Sequence, residues 1–300
     1  MHHEIRLLRQ SFGLPRNDVK RNMNILDEII AHKKIEVEKS KEKLPIEKLQ
    51  KLVKAGLKPA SFSRALKSKI DKKEIALIAE VKKTSPSKGL IKANFNHIEI
   101  AKAYKNGGAT CLSVLTDEKY FQGNLNYIKE IKNVIDLPIL RKDFIIDPYQ
   151  IYESIHNNVD CVLLIVGAFH EAPKCGKDII QMLFDVSNEI GVDSLIEIHN
   201  EKEMEIALGT IAGAYCNTPI LGINNRDLKT FQTNLDTTKN LVTKYKQDLK
   251  DKIIVSESGI FTNEDIKSLT EYGVCTFLVG ESLMREKDIE AATKGLIGMT

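Results

Sequence analysis

The stretch IALIAEVKKTSPSKG, at residues 75–89, places an acid and a base directly after an apolar run. Glu80 and Lys82 lie two residues apart, so in a strand both side chains point to the same side. The apolar run before them is typical of a strand buried on both faces, as in a parallel sheet. Burial of a charge pair adds little stability, because desolvation of the two ions offsets their attraction. The pair is therefore a candidate for chemistry, and a solvated ion pair at a strand end is the alternative.

Four later apolar runs also end in polar residues. Lys142 follows PILR, Glu197 lies in SLIEI, Asn224 ends ILGIN, and Glu257 and Ser258 follow IIVS. Taken alone, each of these residues could be a cap or a partner in an ion pair. Because the carboxyl ends of parallel barrel strands face one mouth, the residues together predict an active site there.

The last two apolar runs end in residues that suit a phosphate group. Ser258-Gly259 ends the first of them, and Gly280-Glu281-Ser282 ends the second, just before a short helical turn. Glycine lets the backbone approach an anion, and amides at a helix start face it. The sequence therefore predicts a phosphorylated substrate. The alternative is that these glycines only relieve crowding in tight turns.

Strands and helices alternate along most of the chain. Eight apolar runs, each followed by a helical pattern, lie within residues 75–300. A closed (β/α)8 TIM barrel is the economical interpretation, because eight parallel strands can close and leave no edge. An open doubly wound sheet is the alternative, although no Gly-rich dinucleotide fingerprint follows any strand. The predicted strands are Ile75–Ala79, Cys111–Leu115, Pro138–Arg141, Cys161–Val166, Ser194–Ile198, Ile220–Ile223, Ile253–Val255 and Thr276–Val279.

Three segments are predicted along the chain. Residues 1–22 hold five basic and two acidic residues, which accounts for the net charge of +3, and we expect a flexible basic extension. Residues 23–70 are predicted to form a helical preface over the barrel mouth. Near its end, Phe62 and Leu66 are expected to make a small apolar contact. Residues 71–300 are predicted to form the catalytic barrel.

Composition excludes several classes of protein. The five cysteines are odd in number and show no CxxC spacing, which argues against a disulfide framework and a zinc site. No apolar run approaches the roughly 18 residues of a membrane span, and no signal-peptide pattern is present. The sequence has no basic patch with interleaved aromatic residues, the pattern that would indicate nucleic-acid binding. We therefore expect a cytoplasmic protein without a metal, a cofactor, or a membrane or nucleic-acid partner.

Several longer strings resemble the indole-3-glycerol phosphate synthase family of tryptophan biosynthesis: IAEVKKTSPSKG, VLTDEKYFQG, LPILRKDFIIDPYQI, CVLLIV, LIEIHNEKE, GINNRDLKTF, VSESGI and FLVGESLMR. The resemblance covers residues 24–289. It implies a carboxy-lyase that closes the ring of 1-(2-carboxyphenylamino)-1-deoxyribulose 5-phosphate and releases carbon dioxide and water. The reaction requires no cofactor. Loose association with other enzymes of the tryptophan pathway is a further expectation.

The resemblance also implies roles for individual residues. Lys142 would protonate the ketone oxygen, Lys82 would pair with the substrate carboxylate, and Glu197 would be the base in the later dehydration. Whether Lys82 also supplies the second acid stays open. The residues implied in catalysis are Glu80, Lys82, Lys142, Glu197, Asn224 and Ser258. An apolar wall for the aromatic ring would consist of Phe121, Phe144 and Leu163. The other residues implied in binding the substrate and its phosphate are Ser85, Arg226, Gly259, Gly280, Glu281 and Ser282.

Some positions depart from the family pattern. Glu281 stands where some members have serine, and its carboxylate would repel phosphate unless it turned outward. The link at 209–218 is longer than usual, and residues 1–22 have no counterpart in the core motifs. The alternatives are a phosphoribosyl isomerase, a Schiff-base aldolase, or a non-catalytic barrel that binds phosphorylated metabolites. The presence of both Lys142 and Glu197 argues against the last of these.

Overall fold

Eight parallel strands surround a common axis in the computed structural model of the chain. The structure describes residues 25–54, 59, 61–169, 176–212, 218–227 and 230–299. The predicted extension at 1–22 and part of the link at 209–218 lie outside the described residues. The strands are β1 (Ala76–Val81), β2 (Thr84–Ser85), β3 (Gly89–Leu90), β4 (Cys111–Leu115), β5 (Ile139–Lys142), β6 (Cys161–Ile165), β7 (Asp193–Ile198), β8 (Ile220–Asn224), β9 (Ile253–Glu257) and β10 (Thr276–Val279). Two of these strands, β2 and β3, lie outside the barrel.

Parallel pairing closes the barrel. Each strand from β4 to β9 pairs with the next strand along the chain, and β1 pairs with both β4 and β10. Ile78 lies opposite Cys111 on β4, and Ala76 lies opposite Thr276 on β10. Outside the barrel, β2 and β3 form a short antiparallel hairpin. The predicted (β/α)8 barrel is confirmed, and the open doubly wound sheet is wrong.

Helices follow the barrel strands and also precede them. Those in the described residues are α1 (Ile25–Lys43), α2 (Ile46–Lys54), α3 (Phe62–Asp71), α4 (His97–Asn106), α5 (Glu118–Phe121), α6 (Asn126–Lys132), α7 (Pro148–His156), α8 (Gly176–Ile190), α9 (Glu201–Ile211), α10 (Asp236–Lys244), α11 (Asn263–Thr270), α12 (Glu281–Arg285) and α13 (Ile289–Ile297). Polar caps fix several starts; Asp147 caps α7, and Pro148 occupies its first turn as the sequence predicts. In the part of the chain described here, no helix is long and apolar enough to cross a membrane.

Side chains on each barrel strand alternate between two apolar layers. On β1, Leu77 and Ala79 pack in the layer between strands and helices, whereas Ala76 and Ile78 belong to the barrel interior. Glu80 continues the interior series at the carboxyl end of the strand. This alternation directs the Glu80 carboxylate into the barrel mouth.

The helical preface contributes to both ends of the barrel. The first turn of α1 lies at the mouth, whereas α3 lies at the opposite end. Phe62 and Leu66 of α3 are fully buried among the interior residues of the barrel. The backbone N–H of Ser63 donates to Oδ2 of Asp193, the first residue of β7, at 2.8 Å. The contact expected from Phe62 and Leu66 is therefore the apolar floor of the barrel.

Candidate active site

A cavity opens at the carboxyl ends of the barrel strands. All fifteen residues that the resemblance implies in catalysis or binding line it, and each barrel strand contributes at least one lining residue. Ile25, Leu26 and Ile29 of α1 add an apolar side. The predicted convergence of polar strand ends is therefore present in the fold.

Lys142 lies between two carboxyl groups inside this cavity. Its Nζ donates to Glu197 Oε2 at 2.6 Å and lies 3.5 Å from Glu257 Oε2, and 15% of its side chain is exposed. Burial disfavours the ammonium form, but the charge of Glu197 and, less strongly, that of Glu80 outweigh burial and raise the pKa of Lys142. Lys142 is therefore a cation at neutral pH, suited to donate a proton rather than to act as a nucleophile.

Glu197 accepts hydrogen bonds from two side chains and lies next to a third that bears a ring nitrogen. Besides Lys142, Asn224 Nδ2 donates to its Oε1 at 3.1 Å, and His199 Nε2 lies 3.3 Å from the same oxygen. Burial favours the neutral acid, but Lys142 and His199 outweigh burial and lower the pKa of Glu197. The side chain is ionised and held in one orientation.

His199 was not among the residues that the sequence singled out. Its Nδ1 lies 3.0 Å from Glu203 Oε2, so the imidazole bridges Glu203 and Glu197. Burial opposes its charge, but the two carboxylates raise the pKa of His199 to about 10. The available signal was its position two residues after Glu197, on the same side of the extended chain.

Glu257 shares the cavity with Glu197 and Lys142. Burial raises the pKa of Glu257, Lys142 opposes the increase, and Glu197 adds to it, so that the pKa reaches about 8. At neutral pH the Glu257 carboxyl is therefore mostly protonated. From the sequence, Glu257 is predicted only as a polar residue at a strand end, without a role.

Two glycines make room for these carboxyl groups. A Cβ atom on Gly222 would lie 2.2 Å from Glu257 Oε1, and one on Gly280 would lie 2.4 Å from Glu80 Oε1. Both distances are far below van der Waals contact. Gly280 is therefore needed for packing around Glu80 whatever else it binds.

Lys82 and two aromatic rings also line the cavity, and the rings follow β4 and β5. The Lys82 ammonium is paired with Glu80, and 15% of the Lys82 side chain is exposed. The rings of Phe121 and Phe144 lie 6.2 Å apart at an angle of 39°. The cavity therefore contains both a cation and an apolar wall, which together suit an aromatic ring that carries a carboxylate.

The loops after β8, β9 and β10 form the opposite side. Arg226 Nη2 lies 3.7 Å from Glu281 Oε2, and Arg226 Nη1 donates to Ser87 Oγ at 3.4 Å. The other carboxylate oxygen of Glu281 accepts from Arg285 at 3.2 Å. Because two guanidinium groups face it, the negative charge of Glu281 is offset within the site.

His199 provides a test of this electrostatic arrangement. Its pKa is raised by folding, so its stabilisation is complete below about 6.5 and is lost as the pH rises towards about 10. We expect the free energy of unfolding in urea to fall across this range in the wild type and much less in His199→Asn. His156→Asn is the control, because the lowered pKa of His156 places its titration below this range. Equal slopes in the wild type and His199→Asn would contradict the assignment.

Comparison with known proteins shows which family the chain resembles. The family model described as indole-3-glycerol phosphate synthase matches residues 26–296. An indole-3-glycerol phosphate synthase of Thermoanaerobacter pseudethanolicus is 45% identical over 261 residues, 87% of this chain and 92% of that protein. Proteins of the same name from Azospirillum brasilense and Zymomonas mobilis subsp. pomaceae are 40% and 41% identical, over 91% and 92% of this chain and 99% of each of them.

Proposed function

The chain belongs to the indole-3-glycerol phosphate synthase family, and on that basis we propose which of its residues carry out the reaction. It is a carboxy-lyase of tryptophan biosynthesis that converts 1-(2-carboxyphenylamino)-1-deoxyribulose 5-phosphate to indole-3-glycerol phosphate, with loss of carbon dioxide and water. The observation that carries the proposal is the charged Lys142 between Glu197 and Glu257.

Lys142 is the general acid of ring closure. The aromatic carbon that bears the carboxylate attacks the ketone carbon, and negative charge develops on the ketone oxygen. A buried ammonium stabilises that charge strongly and then transfers its proton to the oxygen. The raised pKa keeps the proton on Lys142 until the oxygen becomes basic.

Lys82 binds the carboxylate that is later lost. In the structure its ammonium is paired with Glu80, and the substrate carboxylate takes a place beside the same cation. The Phe121–Phe144 wall holds the ring to which the carboxylate is attached. When the new bond has formed, the carboxylate leaves as carbon dioxide and its electron pair restores the aromatic ring.

Glu197 is the base of the dehydration. While Lys142 is charged, it keeps the Glu197 carboxylate weakly basic. Once Lys142 has given up its proton, the nearest cation is gone and the basicity of Glu197 increases. Glu197 then takes a proton from the intermediate, while the hydroxyl accepts a second proton, for which Lys82 is the candidate donor, and leaves as water. The 2.6 Å contact allows the proton to return to Lys142.

The phosphate lies between the loops after β1, β8, β9 and β10. The Arg226 guanidinium supplies charge, Gly259 and Gly280 allow close approach of the backbone, and Ser85 and Ser282 supply hydroxyl groups. Ser258 and Gly259 both have left-handed backbone, with φ of 65° and 76°, which shapes this turn.

Inorganic phosphate should compete with the substrate at millimolar concentrations, because it matches the group that these loops bind. Arg226→Gln should weaken this competition by about tenfold, as expected for the loss of one charged hydrogen bond. Arg64→Gln is the control, since Arg64 is exposed on α3 at the other end of the barrel. Steady-state inhibition constants for the three proteins measure the effect. Equal constants for Arg226→Gln and the wild type would place the phosphate elsewhere.

Indole fluorescence tests the overall function. Addition of the carboxyphenylamino-deoxyribulose phosphate to the purified protein should produce an indole signal with one carbon dioxide released per indole formed. No signal from a folded protein would contradict the function, and carbon dioxide without indole would restrict the activity to decarboxylation.

We also propose, from family membership, a cytoplasmic location and a loose association with other enzymes of the pathway. Cell fractionation and crosslinking in a lysate test these two points. Recovery in a membrane fraction would contradict the first, and the absence of crosslinks to pathway enzymes would contradict the second.

A further inference from the structure

One lysine of the helical preface is buried in the barrel mouth. Lys33 lies on α1, and only 5% of its side chain is exposed. Its Nζ lies 2.9 Å from Asp117 Oδ2 and 2.9 Å from Asp143 Oδ1, and it also contacts Glu36 at 2.5 Å. A single cation from outside the barrel therefore joins two buried carboxylates that belong to different loops.

The first carboxylate fixes the helix that carries one ring of the apolar wall. Asp117 follows β4, and its side chain is completely buried. Its Oδ1 accepts from the backbone N–H of Tyr120 at 2.8 Å and so caps α5. α5 ends at Phe121. The position of Phe121 thus depends on an aspartate whose other oxygen faces Lys33.

The second carboxylate lies between the proposed acid and the other ring. Asp143 follows Lys142 directly, and its Oδ1 accepts from the backbone N–H of Phe144 at 2.8 Å. Its Oδ2 accepts from Thr116 Oγ1 at 2.7 Å and from Arg141 Nη2 at 3.0 Å. Burial favours the neutral acid, but Lys33 and Arg141 outweigh burial and lower the pKa of Asp143. Asp143 is therefore an ionised link between Lys33 and the segment of Lys142 and Phe144.

We propose that Lys33 is a positioning residue that holds the loops after β4 and β5 together, so that Phe121 and Phe144 form the wall for the aromatic ring of the substrate. This inference rests on the proposed function of that wall. The positive charge of Lys33 draws the two loops together, because Asp117 and Asp143 would repel each other without a cation between them. α1 thereby adds specificity for the ring without contributing a reacting group.

Lys33→Met tests the proposal, since methionine keeps an unbranched apolar chain and removes the charge. KM for the substrate should rise about tenfold or more, because a small displacement of a binding wall weakens productive binding. kcat should fall by less than KM rises, because Lys142 and Glu197 keep their own contacts. The inhibition constant of inorganic phosphate should not change, since the phosphate loops lie on the other side of the mouth. Lys33→Arg should restore most of the wild-type KM.

Lys41→Met is the matched control. Lys41 lies on the same helix and joins Glu38 to Asp147, which caps α7 rather than the helix of the wall. Its loss should leave KM within about twofold of the wild type, as is usual for partly exposed ion pairs. A rise in KM equal to that of Lys33→Met would indicate that α1 docking in general sets KM, and would overturn the specific role of Lys33.

Asp117→Asn supplies a second test that does not depend on the folding of Lys33→Met. Asparagine also caps helices, so α5 keeps its start while one of the two joined charges is lost. We expect KM to rise several-fold, and we expect the double variant with Lys33→Met to have the KM of the worse single variant. An unchanged KM in folded Asp117→Asn, or multiplication of the two effects in the double variant, would overturn the proposal. Neither result affects the proposed function, which fails only if the wild type forms no indole.

Discussion

Lys142→Ala should lower kcat by about three decades or more, while KM changes by less than about tenfold. The Lys142 ammonium interacts with the ketone oxygen mainly when negative charge has developed there, so its loss affects the transition state more than the bound substrate. The variant also leaves Glu197 without its closest cation. Steady-state kinetics with fluorescence detection of indole separates the two constants.

Lys142→Arg distinguishes the role of the positive charge from the role of the proton that Lys142 donates. Arginine keeps a cation next to Glu197 but does not release a proton near neutral pH, so we expect a loss of at least about a hundredfold in kcat. A kcat for Lys142→Ala within about tenfold of the wild type would mean that another group protonates the oxygen. Lys82 would then be the first candidate.

Glu197→Gln should lower kcat by about two to four decades, the range expected for the loss of a general base. Glutamine keeps the shape of the side chain and an oxygen that accepts from Asn224, so the fold and substrate binding should remain. The amide cannot take the proton that is lost in the dehydration. Rapid-quench analysis should then show accumulation of the ring-closed intermediate before water is lost.

Glu257→Gln is the matched control for this variant. Because the pKa of Glu257 is raised to about 8, the amide resembles the protonated carboxyl that it replaces at neutral pH. We expect a loss of less than about tenfold. If Glu197→Gln had the wild-type rate, the base would lie elsewhere, and Glu80 would be the first residue to test.

The alternation of apolar runs and helical patterns was enough to predict the barrel, but four of the eight barrel strands were predicted to end too early. β1 continues to Val81 rather than Ala79, and β9 continues to Glu257 rather than Val255. In a sequence, Glu80 and Glu257 mark the end of an apolar run. In the fold their backbones remain paired, as with Glu257 and Asn224, while their side chains turn into the mouth. Polar residues at an active site therefore shorten predicted strands.

Residues whose role depends on distant partners could not be found from local pattern. Lys33 belongs to the string HKKIEVEK, which has the composition of a solvated helix face. Only the packing of α1 on the barrel brings Lys33 to Asp117 and Asp143. The floor made by α3 is a similar case, because Phe62 and Leu66 occur in a short segment between charged residues. Local sequence shows that they are apolar but not which end of a barrel they close.

Borohydride trapping shows whether Lys142 acts as a charged acid or forms a covalent bond with the substrate. An imine between a lysine and the substrate ketone would be reduced to a stable amine and would increase the mass of the peptide that contains Lys142. Wild-type protein treated with borohydride during turnover should keep the unmodified mass of that peptide and retain its activity. A substrate adduct on Lys142, accompanied by loss of activity, would contradict acid catalysis by Lys142 and favour a Schiff-base mechanism.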